Sequence, residues 1–99
     1  MQLRMHPDAL TEFAFAVAHY ERQQTGLGLR FLANVESALQ HIAADPLAWP
    51  ILADDVRRHL TRTFPYAILF CIDADAVLVL AVMHSHQRPG YWRTRVTEP

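Results

Sequence analysis

The chain contains no lysine, one cysteine, three glycines and no apolar run long enough to cross a bilayer. Each shortage excludes something. All nine basic side chains are arginine, set against ten acidic ones, so the formal net charge is −1. A protein that lives by nonspecific attraction to phosphate carries a clear positive excess, so strong direct nucleic-acid binding is not expected. The lone cysteine, Cys71, rules out an internal disulfide and fits a reducing cytoplasm. Gly26, Gly28 and Gly90 are too few and too scattered for a phosphate-cradling loop. The longest unbroken apolar stretch, Ala76 to Met83, falls far short of the ~18 residues of a membrane helix. The residues from Met1 to Pro7 hold no apolar segment of the secretory kind. A cytoplasmic location with no membrane partner is the expectation.

What is present is apolar bulk. Hydrophobic residues make up 52% and charged residues 19% of 99 positions. That excludes a disordered chain. It fits a single domain over residues 1–99, ending in a tail from Ser85, and it implies that part of the surface is meant to be covered.

The periodicity predicts an α+β fold in the order βααβββ. Residues 2–6 read as a short strand. His6-Pro7-Asp8 opens a helix, since proline suits the first turn and Asp8 suits the positive end of the helix dipole. Leu10, Phe13, Val17 and Tyr20 follow at three- and four-residue spacing and form one apolar stripe. Gly26 stops this helix. Leu27, Phe31, Val35, Leu39 and Ile42 make the stripe of a second, which Asp45-Pro46 ends. Residues 46–55 read as a loop with two prolines. The pattern then shifts to strands: Val56 to Thr63, Tyr66 to Ile72 and Val77 to Met83. The last two are joined at Asp73-Ala74-Asp75, a link so short that they must run antiparallel. An antiparallel sheet packed on one face by an N-terminal helical hairpin is the result.

The last strand is apolar on both faces. Strict alternation puts Val77, Val79, Ala81 and Met83 on one side and Leu78, Leu80 and Val82 on the other. A helical hairpin covers one face only. The second face is left to the tail around Tyr91-Trp92, to a second copy, or to another chain.

Three groups of residues are candidates for chemistry or binding. The strand at 56–62 carries Arg57, Arg58 and Arg62. Arginine forks take phosphates or carboxylates bidentately, and the alternative is an ordinary charged edge strand that deters aggregation. The tail carries His84, His86, Arg88 and Tyr91. With Arg62 these form the candidate set for acid–base cleavage of RNA, the arginines steadying phosphorane charge. The competing reading is structural: a strand end, an ion pair and Trp92 as a core plug. His84 and His86 with His59 or Cys71 are a weak zinc pattern, and neither metal nor cofactor is expected.

Several segments together resemble the ParE side of the RelE/ParE toxin superfamily. They are Gly26 to Leu32, the Asp45-Pro46-x-x-Trp49-Pro50 loop, Val56-Arg57-Arg58, Phe64 to Ile68, and an ending with Val82, His84, Arg88 and Trp92. The resemblance runs from about His6 to Arg93. It implies a toxin of a type II toxin–antitoxin pair, also called a plasmid-stabilisation protein. It further implies a cognate antitoxin whose extended segment wraps the toxin, and DNA gyrase as the target, poisoned without chemistry. The RelE branch implies a ribosome-dependent mRNA endoribonuclease instead, and a relic that only binds antitoxin is the third alternative. The missing lysines and the charge of −1 favour the ParE branch. On this reading Arg57, Arg58, Arg62, Leu78, Leu80, Val82 and Trp92 form the partner-binding surface.

Overall fold

The structure is a computed structural model that describes residues 1–96. Strand β1 spans Gln2–Met5, helix α1 Pro7–Gln23 and helix α2 Leu27–Ala44. A short 3-10 turn at Pro46–Ala48 leads to β2 (Ile51–Ala53), β3 (Val56–Leu60), β4 (Tyr66–Asp73) and β5 (Ala76–His84). A last 3-10 turn covers Arg93–Val96.

Helix α1 starts as its sequence demands. The His6 ring accepts the Asp8 N–H at Nδ1 (3.1 Å), and Pro7 occupies the first turn. The buried line of α1 is Ala9, Phe13 and Ala16, with Val17 and Tyr20 packed beside it. Leu10, expected in that stripe, is 55% exposed. The helix turns its small alanines inward, which lets it approach β5 closely.

The link to α2 depends on glycine twice. Gly26 has a φ of 88°, a left-handed conformation that side chains disfavour. At Gly28 a Cβ would lie 2.6 Å from the Val17 carbonyl oxygen, so only glycine lets the helices meet there. The Glu21 carboxylate, reaching from the last turn of α1, accepts the Gly26 N–H (2.9 Å) and the Gly28 N–H (3.0 Å). It thereby satisfies donors that the start of α2 would leave orphaned. Phe31 then sits centrally, with Phe13, Tyr20, Phe64 and Tyr66 within 4.8–6.0 Å, ring centre to ring centre.

The sheet has five strands in the order β1-β5-β4-β3-β2. It differs from the sequence expectation in three ways. First, the sheet is mixed. β1 runs parallel to β5, pairing Gln2 with Ala76 through to Met5 with Val79. Short turns force only β3, β4 and β5 to alternate in direction, and β1 has no such tie. Second, the loop at 46–55 contains a strand. Ile51–Ala53 turns back at Asp54 (φ 52°) and pairs with β3. It lies at the sheet edge, where a preceding proline is tolerated.

Third, β5 carries a bulge. Leu69 pairs with Ala81 but Phe70 pairs with Val79, so Leu80 is an extra residue. One inserted residue reverses the facing of everything after it. Val77, Val79 and Val82 face the helices, while Leu78, Leu80, Ala81 and Met83 face away. The placement of Ala81 and Met83 with Val77, and of Val82 with Leu80, is therefore corrected.

Both sheet faces are covered. The helices bury Ile68, Phe70, Val77, Val79 and Val82. On the other side Val56, Ala67, Leu69, Cys71, Leu80 and Ala81 form a second core closed by Trp92, which is 3% exposed. Among the described residues no helix is long and apolar enough to cross a membrane.

Candidate functional site: a groove beside a locked tail

Glu12 makes the closest polar contacts to the tail, with Asp8 a more distant partner of Arg95 at 3.8 Å. Glu12 lies on α1 between Ala9 and Ala16. Its Oε2 accepts the Tyr91 hydroxyl (2.6 Å), and both its oxygens accept from the Arg95 guanidinium (2.9 and 3.0 Å). Glu12 Oε1 also accepts the Val82 N–H (3.1 Å), and Arg95 donates to the Leu80 carbonyl (3.0 Å). These two backbone groups lie beyond Met5, the last β1 residue paired with β5. The ion pair thus caps a stretch of strand edge that β1 leaves open, and it does so at the bulge. Fork-to-carboxylate bonds are the strong kind. Arg95 is stacked over the Tyr91 ring, 4.9 Å from its centre. Burial, then the hydrogen bond and charge of Glu12, push the Tyr91 hydroxyl well above the ordinary tyrosine pKa, with Arg95 pulling the other way.

The residues singled out for partner binding separate into distinct places. Trp92 and Leu80 are buried in the tail-side core, and Val82 in the helix-side core. None of the three is open to a partner while the tail is down. Leu78 is half-buried on the tail side. Arg57 is occupied locally, donating to the carbonyls of Trp49 (2.7 Å) and Leu47 (3.3 Å). Arg58 faces the tail side beside Met83 and remains half-buried. Arg62 is exposed just past the end of β3.

Two adjoining grooves of about 320 and 270 Å³ share Arg58, Met83 and Ser85. The first runs past Leu60, Phe64 and Tyr66; the second past Leu52, Pro89 and Trp92. Leu60 and Leu52 are exposed apolar side chains on this stretch. Arg58 lies where the grooves meet and Arg93 at one end, the latter only loosely paired with Asp54 at 3.7 Å. The result is an apolar channel with cationic posts, beside the edge strand β2.

The acid–base set is only partly assembled. His84 and His86 lie with ring centres 5.2 Å apart, and His84 meets Tyr66 edge-on at 5.1 Å. His84 Nδ1 accepts the His86 backbone N–H (3.0 Å). Glu12 and Tyr66 line the same cavity as His84. Arg62 lines a different cavity, against α2. Arg88 and His86 are exposed, and the Tyr91 hydroxyl is taken by Glu12. Among the described residues, no group of three His, Cys, Asp or Glu side chains converges as a metal site.

Sequence reasoning missed Glu12 and Arg95. Glu12 had a signal: it is an acid three residues after Ala9 and four before Ala16, on the buried line of α1. Arg95 had none, since it belongs to no periodic segment.

A family model described as the ParE toxin of the type II toxin–antitoxin system parDE matches residues 3–89. The chain belongs to the ParE toxin family. A chain from a solved structure titled "Chromosomal ParDE TA system from P. aeruginosa" has the same fold, with a TM-score of 0.62 at 16% identity. The match covers 85% of this chain and 95% of that one. No curated protein matches by sequence. The family match ends before Tyr91, Trp92 and Arg95, so the tail lock of this ParE-family toxin lies outside the matched span.

Proposed function

We propose that this toxin acts by binding DNA gyrase, without chemistry of its own, and is held inactive by a cognate antitoxin. Family membership carries the reading. Two further observations support the non-enzymatic branch. The net charge of −1 provides no field for gathering RNA, and Tyr91 and Arg62 of the acid–base set are occupied or remote from the histidines. The antitoxin segment is extended and apolar, with an acidic residue to meet Arg58, and lies in the channel between Met83 and the β2 edge. Burial there supplies affinity and the arginine posts supply register.

Co-purification with the product of the adjacent reading frame tests the pairing. Met83→Asp and Arg58→Glu should each weaken the complex while leaving the fold intact by circular dichroism. A complex unchanged by both would move the antitoxin elsewhere. Induction in cells should trap gyrase cleavage complexes and cause filamentation, with mRNA left whole.

The cluster of His84, His86, Tyr66 and Glu12 gives the nuclease reading its one specific support. It requires new mRNA ends within codons after induction, lost in His84→Ala. Harmless induction with antitoxin binding retained would leave a relic.

A further inference from the structure

A cavity of about 350 Å³ lies between the C-terminal half of α2, the Pro46–Ala48 turn and the end of β3. It meets the first antitoxin groove at Leu60 and Thr61 but is otherwise walled by α2, Trp49, His59 and Arg62, and the toxin reading makes no use of it. Its walls include the rings of His41, Trp49 and His59, with Asn34 inside and Arg62 among the lining residues.

The buried polar atoms are the decisive feature. Among the described residues, the buried side-chain atoms without a hydrogen-bond partner are Asn34 Oδ1, Trp49 Nε1 and both ring nitrogens of His59. All belong to this one cavity. His59 is only 8% exposed. Native chains rarely bury polar atoms unpaired, and a cluster of them calls for an explanation. Their chemistry is mixed. Indole N–H only donates, neutral imidazole offers one donor and one acceptor, and Asn34 offers an amide edge.

Shape adds a second constraint. Trp49 and His59 lie with ring centres 4.1 Å apart. The His41 ring is nearly parallel to His59, tilted by 16° with centres 6.4 Å apart. Charge adds a third. No carboxylate lines the cavity, and burial, with His41 nearby, holds His59 below the ordinary histidine pKa and so neutral. Arg62 is exposed at the mouth and makes no ion pair among the described residues.

We propose that this cavity binds a mononucleotide, its base flat among His41, Trp49 and His59 with its polar edge on Asn34 and His59, and its phosphate on Arg62. A flat, neutral ring with donors and acceptors on its rim matches the interior, and a single anion matches the mouth. A side-chain amide from a partner would satisfy the polar atoms but would need neither the stacked rings nor the arginine.

The test follows the indole N–H signals of the isotope-labelled full chain by NMR. The chain has two tryptophans, and Trp92, under the tail, serves as internal control. AMP, GMP, CMP and UMP are titrated in turn. The expected result is a saturable shift of the Trp49 signal by at least one of them, half-complete at about 1 mM or below, with the Trp92 signal still. Arg62→Ala should weaken the monophosphate about tenfold and leave the matching nucleoside unaffected. His59→Phe, with the Trp92 signal unchanged as proof of fold, should abolish both. The proposal is overturned if no nucleotide moves Trp49, if inorganic phosphate alone gives the same shift, or if Arg62→Ala binds the monophosphate as well as the parent chain. An unresponsive Trp49 that moves only when antitoxin is added would overturn it equally, in favour of a partner side chain.

Discussion

The two faces of the sheet are covered by different means. On one side α1 and α2 lay a continuous layer over Ile68, Phe70, Val77 and Val79, with four aromatic rings gathered about Phe31. On the other side a segment without long helix or strand, Ser85 to Val96, closes a smaller core with one plug, Trp92, and one ion cluster at Glu12. Both faces are dry, but they do not fail in the same way. The helix layer shares its contacts among many residues and opens only with the whole fold. The tail hangs on Trp92 and the Glu12 cluster, so it is expected to open locally at lower cost. A face that opens locally is the one on which a partner can gain area, and it is the one that carries the Arg58–Met83 channel.

The largest effect should come from the helix side. Phe31→Ala is expected to cost about 3–5 kcal/mol, read as a lowered denaturant midpoint with unchanged slope. A loss under about 1 kcal/mol would mean that the helix layer is as loosely held as the tail, and the contrast would vanish.

The next effect belongs to the tail lock. Glu12→Ala removes the acceptor of Tyr91, the nearer counter-charge of Arg95 and the cap on the Val82 N–H, leaving Arg95 only Asp8 at 3.8 Å. Removing one partner of a buried ion pair costs about 3–5 kcal/mol when the other is trapped. In this variant a tail that swings out would hydrate Arg95 instead of trapping it. The global loss should therefore be nearer about 2 kcal/mol. Hydrogen exchange gives the sharper readout. Amides from Leu80 to His84 and in the tail should exchange faster, while α2 keeps its protection. Equal acceleration in α2 would show that the two faces unfold as one unit.

The same contrast explains what the sequence made legible. The helix side announces itself by period: Phe31, Val35 and Ile42 recur at helical spacing, and Ile68 and Phe70 at strand spacing. Asp45-Pro46 ends α2 where proline geometry requires. The family resemblance was legible in part because some of its marks, Leu27 to Leu32 and Tyr66 to Ile68, lie in these regular segments. The tail side depends on exceptions to period. The bulge at Leu80 breaks strict alternation, and no residue type marks it, so Val82 fell on the wrong face. β2 is a three-residue strand after Pro50, too short for its alternation to register. The lock joins residues some 80 positions apart, Glu12 to Tyr91 and Arg95, and a contact of that range leaves no local trace. The Trp49–His59 pairing is hidden in the same way, since it needs β3 and the Pro46–Ala48 turn to be already folded.

The smallest effect concerns the one weak place in the helix-side layer, at His59. Its ring is buried against Trp49, and burial comes first among the causes that lower its pKa. The charge of nearby His41 adds to the depression, while the surrounding backbone at Leu60 and at His59 itself, at longer than hydrogen-bond geometry, opposes it. The unfolded chain takes up a proton near the ordinary histidine value of about 6.5, and the folded chain resists until a lower pH. The unfolded state therefore binds the extra proton first. This contribution is complete above about pH 6.5 and is lost as pH falls through the folded value. The chain has five other histidines, so the informative quantity is a difference between two chains. His59→Phe keeps a flat ring against Trp49 and removes the titration. Its stability should fall less steeply below about pH 6.5 than that of the parent chain, by chemical denaturation at each pH. Parallel slopes would mean that the imidazole reaches water in the folded state, and that this corner of the helix layer is as open as the tail.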